Sequence, residues 1–162
     1  MFKLLPLFCV STDAANTLLP HRRNSYFKYQ AAKPVRAWTI MQILIADDHA
    51  EVRRGLKDIL ADALPEAQFS EAGDGAEVLS CVANSEYALL LLDINMPGRS
   101  GLDVLRDVKR TYLYLPVIIV SVNPEDQYAM RCLQAGAAAY VNKDSAPEKL
   151  PEIVQKVLNG NH

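Results

Sequence analysis

The segment ALLLLDINMPGRSG, residues 88–101, places four consecutive leucines directly before an aspartate, Asp93. Strands that are apolar at every position are typical of parallel sheets, because helices cover both faces of such sheets. A Met-Pro-Gly turn follows shortly after the aspartate, so the apolar run is bounded on this side. The segment therefore predicts a buried strand at residues 88–92 that is followed by a carboxylate at the edge of the sheet.

Apolar runs and amphipathic periods alternate along the chain on both sides of this strand. Such alternation predicts βαβ units, which pack into a parallel sheet with helices on both faces. We therefore expect an α/β fold with a doubly wound five-stranded parallel sheet in three layers, α/β/α. The predicted strands cover residues 42–46, 68–72, 88–92, 117–120 and 138–141, and the predicted helices cover residues 51–64, 76–83, 101–110, 125–134 and 147–158.

The composition argues against several classes of protein. Half of the 162 residues are apolar and the net charge is −2, so the chain can form a core and has no basic footprint for nucleic acid. No apolar run approaches the ~20 residues that span a bilayer. The three cysteines are far apart and only three histidines are present, which disfavours a disulfide framework and a zinc site. We expect a cytoplasmic protein that binds neither membrane nor nucleic acid directly.

The first 40 residues differ in pattern from the rest of the chain. Their apolar start, MFKLLPLFCV, is at the lower length limit of a signal-peptide core and lacks a clear cleavage site. No sustained period follows it, whereas a regular pattern begins at Met41. We expect residues 1–40 to be a poorly ordered extension, either a genuine tail or an upstream over-extension of the reading frame. Residues 41–160 are expected to form the domain.

Polar side chains follow the predicted strands at their carboxyl ends. In an open parallel sheet these ends meet at one edge, and ligands bind there. Two acids follow the first strand, and one polar residue ends or follows each of the third, fourth and fifth. Three carboxylates, a hydroxyl and an amine are therefore expected close together: Asp47, Asp48, Asp93, Ser121 and Lys143.

This set of groups suits magnesium and phosphoryl transfer. Neighbouring carboxylates repel one another unless a cation is bound, and Mg²⁺ prefers one or two carboxylates with phosphate oxygens and water. Lys143 would add a fixed positive charge, and Ser121 would add a hydroxyl donor. A carboxylate nucleophile surrounded by these groups has the parts needed for transfer of a phosphoryl group onto aspartate.

Four stretches resemble the bacterial response-regulator receiver domain. They are ILIADDH at residues 43–49, LLLLDINMPGRSGLDVL at 89–105, PVIIVSV at 116–122 and GAAAYVNKDSAPEKL at 136–150. The resemblance implies a flavodoxin-like, CheY-like fold and a phosphorelay function with a sensor histidine kinase as partner. Such a domain takes part in its own phosphorylation but is not an enzyme in the sense of turnover.

The resemblance also implies roles for the polar residues at the sheet edge. Asp93 accepts the phosphoryl group from the kinase. Ser121 and Lys143 then bind oxygens of that group. The Mg²⁺ ligands are Asp47, Asp48, Asp93 and the backbone carbonyl of Asn95.

Two further residues match the family, and each has a simpler alternative. Tyr140 matches the switch aromatic that turns inward as Ser121 moves, and the alternative is an ordinary half-buried strand tyrosine. Gly101 matches the glycine that lets the loop after the acceptor close back, and the alternative is a simple helix-start glycine. Arg53 and Arg54 are expected on a solvated helix face, and the alternative is a contact with the kinase.

Residues 124–150, PEDQYAMRCLQAGAAAYVNKDSAPEKL, resemble receivers of the NarL/FixJ, or LuxR-type, class. That class has Lys-Asp or Lys-Glu followed by Ser where many other receivers have Lys-Pro. Such receivers usually precede a helix-turn-helix DNA-binding domain, and we expect no output domain within this chain. The chain is either a natural single-domain receiver with a separate target or part of a longer regulator. A phosphorylation-dependent dimer is a further expectation.

Three other functions compete with an active receiver. A haloacid-dehalogenase-type phosphatase would need a second aspartate two residues after the nucleophile, but position 95 is Asn. A flavodoxin-like FMN module would need a hydroxyl- and glycine-rich loop after the first strand, but residues 47–51 are Asp-Asp-His-Ala-Glu. A degenerate receiver that acts as a protein-interaction scaffold would not respond to phosphoryl analogues.

Overall fold

The computed structural model describes residues 41–160, in which five strands and five helices alternate. The extension predicted at residues 1–40 lies outside the described residues. A short 3-10 turn, Lys143–Ser145, precedes the last helix. The strands are β1 (Met41–Ala46), β2 (Ala67–Ala72), β3 (Leu89–Leu92), β4 (Val117–Ser121) and β5 (Ala139–Asn142). The helices are α1 (Ala50–Ala63), α2 (Gly75–Asn84), α3 (Gly101–Thr111), α4 (Glu125–Gln134) and α5 (Ala146–Leu158).

The five strands form one parallel sheet in the order β2-β1-β3-β4-β5. The chain moves from β1 to β2 on one side and then returns to place β3 on the other side of β1. This reversal creates a topological switch point between β1 and β3, and ligands of such sheets bind at the carboxyl ends of the strands there. The predicted doubly wound five-stranded fold is confirmed.

The four leucines of β3 are buried on both faces of the sheet. Leu90 and Leu92 pack in a cluster that contains buried side chains of α2 and α3, and Leu89 and Leu91 pack with those of α1 and α5. All four are at most 1% exposed. Burial of a leucine is worth roughly 1.5–3 kcal/mol, so this strand stabilises the contact of both helical layers with the sheet.

The predicted element boundaries agree with the structure to within one residue, and α4 agrees at both ends. The inward face of α3 differs in one respect. The sequence pattern predicts Leu102, Leu105 and Val108 on the inward face. In the structure Val104, Leu105 and Val108 are buried, whereas Leu102 is only partly buried. Positions 101, 104, 105 and 108 form one helical face with the i, i+3, i+4, i+7 spacing, and position 102 lies about 100° away.

Within residues 41–160, no helix combines the length and the apolar character needed to cross a membrane.

Candidate functional site

Two buried aspartates and one lysine meet at the switch point. The side chains of Asp47 and Asp93 are only 1% and 2% exposed. The Nζ of Lys143 lies 2.5 Å from Oδ2 of Asp47 and donates a hydrogen bond of 2.7 Å to Oδ2 of Asp93. A single ammonium therefore contacts both carboxylates.

The strand register explains why these side chains meet. Ala46 of β1 is paired with Leu92 of β3, so the next residue on each strand is an aspartate at the same level. The backbone N–H of Asp93 donates to the carbonyl of Ala46 at 2.9 Å and fixes that level. On the other side of β3, Ser121 of β4 is paired with the residue that precedes Lys143. The sequence prediction that these residues share one edge agrees with this geometry.

The charge of Lys143 is favoured by its neighbours. Burial by itself would lower the pKa of this lysine, but its close contacts with the negative charges of Asp47 and Asp93 outweigh burial and hold the pKa above its ordinary value. The side chain therefore remains an ammonium. One ammonium cannot neutralise three nearby carboxylates, so the edge retains an excess of negative charge that favours a cation.

Asp47 also has an oxygen that suits a metal ion. Its Oδ1 accepts a hydrogen bond from the backbone N–H of His49 at 2.9 Å. Its buried Oδ2 has no hydrogen-bond partner among the described residues, since the contact with Lys143 is an ion pair without hydrogen-bond angles. The Lys143 ammonium offsets the cost of burying this oxygen, and a carboxylate oxygen has a further lone pair that suits a metal ion.

The acids do not all converge on one point. In the described part of the chain, the group whose candidate ligand atoms lie within 4.8 Å of one another consists of Asp47, Asp48 and His49. His49 Nδ1 lies 2.8 Å from Oδ1 of Asp48. Asp93 is outside this group, and its two oxygens accept hydrogen bonds from Lys143 at 2.7 Å and from the backbone N–H of Asn95 at 3.1 Å. The predicted metal role of the Asn95 carbonyl stays a prediction.

Ser121 is fully buried and is bonded by two asparagines. Its Oγ accepts from Nδ2 of Asn95 at 3.2 Å and from the backbone N–H of Asn123 at 3.3 Å. The two asparagines also meet each other, since Nδ2 of Asn123 donates to Oδ1 of Asn95 at 3.1 Å. The predicted hydroxyl thus lies in a polar network that joins the loop after β3 to the loop after β4.

Tyr140 points into the protein. It is 7% exposed, and its hydroxyl donates to the backbone carbonyl of Asn123 at 2.9 Å. Burial is the largest influence on this phenol and raises its pKa, while a hydrogen bond with Ser121 acts in the opposite direction. Tyr140 is therefore more buried than a half-buried strand tyrosine, and its role as a switch stays a prediction.

Gly101 permits a close approach between α3 and the residue after β3. A Cβ at this position would lie 2.2 Å from the carbonyl oxygen of Asp93 and 2.5 Å from Cα of Ile94. Its backbone N–H donates to the carbonyl of Ile94 at 3.3 Å. The expectation that this glycine lets the loop close back agrees with the structure, and the position has no room for a side chain.

Sequence reasoning missed three residues that support the site. The solvated face expected for Arg53 is wrong, because its side chain is 17% exposed and donates to the carbonyl of Asp47 at 2.7 Å and to Glu71 at 2.8 Å. The helical period alone does not reveal this, since α1 starts so soon after Asp47 that its first turn lies beside the strand end. Asn142 ends β5, and Asn123 lies two residues after β4. A polar residue at the carboxyl end of a strand was the sequence feature that could have identified them.

Comparison with known proteins identifies the class. Residues 43–155 match the family described as response regulator receiver domain. The chain is 35% identical over 123 residues to the nitrate/nitrite response regulator protein NarP of Escherichia coli strain K12, which corresponds to 76% of this chain and 57% of that protein. The solved signal receiver domain of NarL from Mycobacterium tuberculosis is 29% identical, with a TM-score of 0.67, over 74% of this chain and 97% of that one. A CheY-like receiver domain from Methanospirillum hungatei JF-1 is 26% identical, with a TM-score of 0.69, over 76% of this chain and 97% of that one.

The chain belongs to the response-regulator receiver domains of two-component systems, and its relatives are of the NarL/FixJ type. The chain spans a little over half the length of the curated relatives that it matches, 55% of one and 57% of another.

Proposed function

We propose that Asp93 accepts a phosphoryl group from a sensor histidine kinase in a Mg²⁺-dependent reaction. The contact of the Lys143 ammonium with the buried carboxylates of Asp47 and Asp93 is the observation that supports this most directly. It leaves a cation beside a carboxylate at the switch point of the sheet, where the incoming phosphoryl oxygens need positive charge. Membership in the receiver family supports the same reaction.

The residues at the edge fit a magnesium ion. They offer carboxylate oxygens, which are the ligands that Mg²⁺ prefers, and the buried Oδ2 of Asp47 lacks a hydrogen bond. When bound, the ion would neutralise negative charge on the phosphoryl oxygens. We propose that it is held by Asp47, Asp48, Asp93 and the backbone carbonyl of Asn95.

The chemistry assigned to the chain is an in-line displacement. A carboxylate oxygen of Asp93 forms a bond to phosphorus as the P–N bond of the kinase phosphohistidine breaks, and the electron pair stays on the imidazole nitrogen. Lys143 then pairs with a phosphoryl oxygen instead of with the free carboxylate alone. Ser121 donates its hydroxyl to another phosphoryl oxygen, while its Oγ can still accept from Asn95 and Asn123.

The output follows from the contacts of Ser121. A phosphoryl group adds up to about two negative charges and draws this hydroxyl toward it. Because Asn123 is bonded to both Ser121 and Tyr140, a shift of Ser121 disturbs the loop before α4 and the tyrosine of β5. We propose that α4 and β5 form the surface that then acts on a DNA-binding domain of a longer protein, on a separate target or on a second copy, in the cytoplasm.

The first test is a thermal-shift titration with Mg²⁺ and beryllofluoride, a mimic of the aspartyl phosphate. We expect the melting temperature of the wild type to rise, because a ligand that binds only the folded state stabilises it. Asp93→Asn should fold and show no rise beyond that caused by Mg²⁺ alone, since it lacks the carboxylate that bonds beryllium. Asp58→Asn, a change at an exposed acid of α1, is the matched control and should behave like the wild type.

No shift in a folded wild type would contradict the active receiver and favour the alternative, a degenerate receiver that serves as a protein-interaction scaffold. An equal shift in Asp93→Asn would show that beryllofluoride binds elsewhere and would remove Asp93 from the proposal.

A further inference from the structure

The carboxamide of Asn142 bridges two segments on opposite sides of the site. Its Nδ2 donates to the backbone carbonyl of Asn123, in the loop after β4, at 3.2 Å. Its Oδ1 accepts from the backbone N–H of Asp144, in the turn that starts at Lys143, at 2.9 Å. One side chain therefore joins the β4–α4 loop to the turn of the lysine that contacts Asp93.

The same carbonyl of Asn123 receives a second hydrogen bond, from the hydroxyl of Tyr140. Tyr140 and Asn142 are two residues apart on β5, so their side chains lie on the same face of the strand. A backbone carbonyl has two acceptor lone pairs, and both are used here. The backbone N–H of Asn123 is in turn bonded to Ser121.

We propose that Asn142 is a positioning residue that fixes the separation between Ser121 and Lys143. These are the two side chains assigned to the phosphoryl oxygens, so the inference rests on the proposed function. Lys143 is fixed from one end of the carboxamide through the turn. Ser121 is fixed from the other end through Asn123. Because the two groups are held in place before the ligand arrives, less conformational entropy is lost when a phosphoryl group binds.

The two ends of the carboxamide have separable roles. Capping of the turn at Asp144 requires only an acceptor, which Ser, Thr or Asp can also provide. The bond to Asn123 requires a donor at the full length of the asparagine side chain. Replacing Asn142 by serine keeps the acceptor near the turn, but a hydroxyl on Cβ is too short to reach the carbonyl of Asn123.

The experiment compares Asn142→Ser with Ser145→Ala, which removes another hydrogen bond of the same turn, the 3.2 Å bond from Ser145 Oγ to the carbonyl of residue 142. Beryllofluoride is titrated at saturating Mg²⁺, and Mg²⁺ is titrated alone. We expect Asn142→Ser to weaken beryllofluoride binding about fivefold, the usual effect of one hydrogen bond. Its Mg²⁺ affinity should stay at the wild-type value, because the hydrogen bonds of Asn142 go to residues 123, 144 and 145 and not to the proposed metal ligands. Ser145→Ala should match the wild type in both titrations.

A purely structural role would give a different result, with a lower melting temperature and equal loss of both affinities, or no change in either. Either result would overturn the inference while leaving the proposed function intact, provided that the wild type binds beryllofluoride. If the wild type does not bind it, the proposed function fails and this inference fails with it.

If Asn142→Ser folds poorly, Asn142→Asp, alone and combined with Tyr140→Phe, tests the same inference. Asn142→Asp retains the cap but presents an acceptor to the carbonyl of Asn123, so binding of beryllofluoride should again weaken. Combining it with Tyr140→Phe should weaken binding more than the sum of the single effects on the free energy, because both side chains hold one carbonyl. Additive effects would contradict the shared role.

Discussion

Lys143 stabilises an arrangement that would otherwise be repulsive. Asp47 and Asp93 are buried at the ends of neighbouring strands. The ammonium of Lys143 contacts both carboxylates and offsets part of the repulsion between them. Removal of one partner from a buried ion pair is more costly than the net value of the pair, because the remaining charges stay desolvated. The stability of this site is therefore sensitive to the loss of the lysine in particular.

We predict that Lys143→Met lowers the free energy of unfolding by about 3 kcal/mol at neutral pH without Mg²⁺. Adding Asp93→Asn to this variant should recover part of the loss, since one of the two unpaired buried charges is then removed. Urea unfolding followed by circular dichroism measures both effects. An unchanged urea midpoint for Lys143→Met would contradict the predicted charge balance.

At the scale of elements, the connection from β3 to α3 is short and tightly packed. Gly101 starts α3 against the backbone of Asp93 and Ile94, at distances that exclude a Cβ. The helix also begins with a side-chain cap, because Ser100 accepts from the N–H of Leu102 at 3.3 Å. The position of the helix and the position of the acceptor residue are thus set together.

Two glycine-to-alanine substitutions should change the free energy of unfolding in opposite directions. Gly101→Ala forces the Asp93 backbone to shift and should destabilise the protein by about 1–3 kcal/mol, the usual cost of overpacking. Gly55→Ala lies inside α1 with open space around it and should stabilise by roughly 0.5–1 kcal/mol through helix propensity. The shift of the urea midpoint, measured for both variants, tests this. A neutral Gly101→Ala would show that the contact is not restrictive.

At the scale of the whole domain, two apolar clusters lie on opposite faces of one sheet. Leu60 of α1 belongs to one cluster and Leu105 of α3 to the other, and both are fully buried. The four leucines of β3 contribute to both clusters alternately. Because both clusters share this strand, loss of packing on one face also weakens the packing on the other face. We therefore expect the described domain to unfold as one unit.

We predict that Leu60→Ala and Leu105→Ala each lower the free energy of unfolding by about 2–5 kcal/mol. Each variant should still show a single transition, with the same midpoint by circular dichroism and by tyrosine fluorescence. Separate midpoints for the two probes in either variant would indicate that the two helical layers unfold independently.

Much of the site was predictable from residues at strand ends. Asp93 and Lys143 follow apolar runs, and the rule that parallel strands share a carboxyl edge brings such residues together. Arg53 and Asn142 were not assigned, because their contacts depend on the reach of a side chain toward backbone groups of another segment. Hydrophobic periodicity locates the faces of elements, but it does not specify such hydrogen bonds. Spacing alone also left the inward face of α3 open, because Leu102, Leu105 and Val108 are three residues apart and did not exclude Leu102 in favour of Val104.

The close contact at Gly101 has a mechanical consequence. The acceptor side of the pocket has little room to move, because the start of α3 lies so close to the backbone of Asp93 that a Cβ at Gly101 would not fit. The opposite side, around Asn123, is held by hydrogen bonds that can lengthen or exchange partners. The backbone around Asp93 is thus the less deformable side of the pocket, and the loop around Asn123 is the more deformable side. We expect the structural adjustment to a ligand to occur in this loop, next to α4.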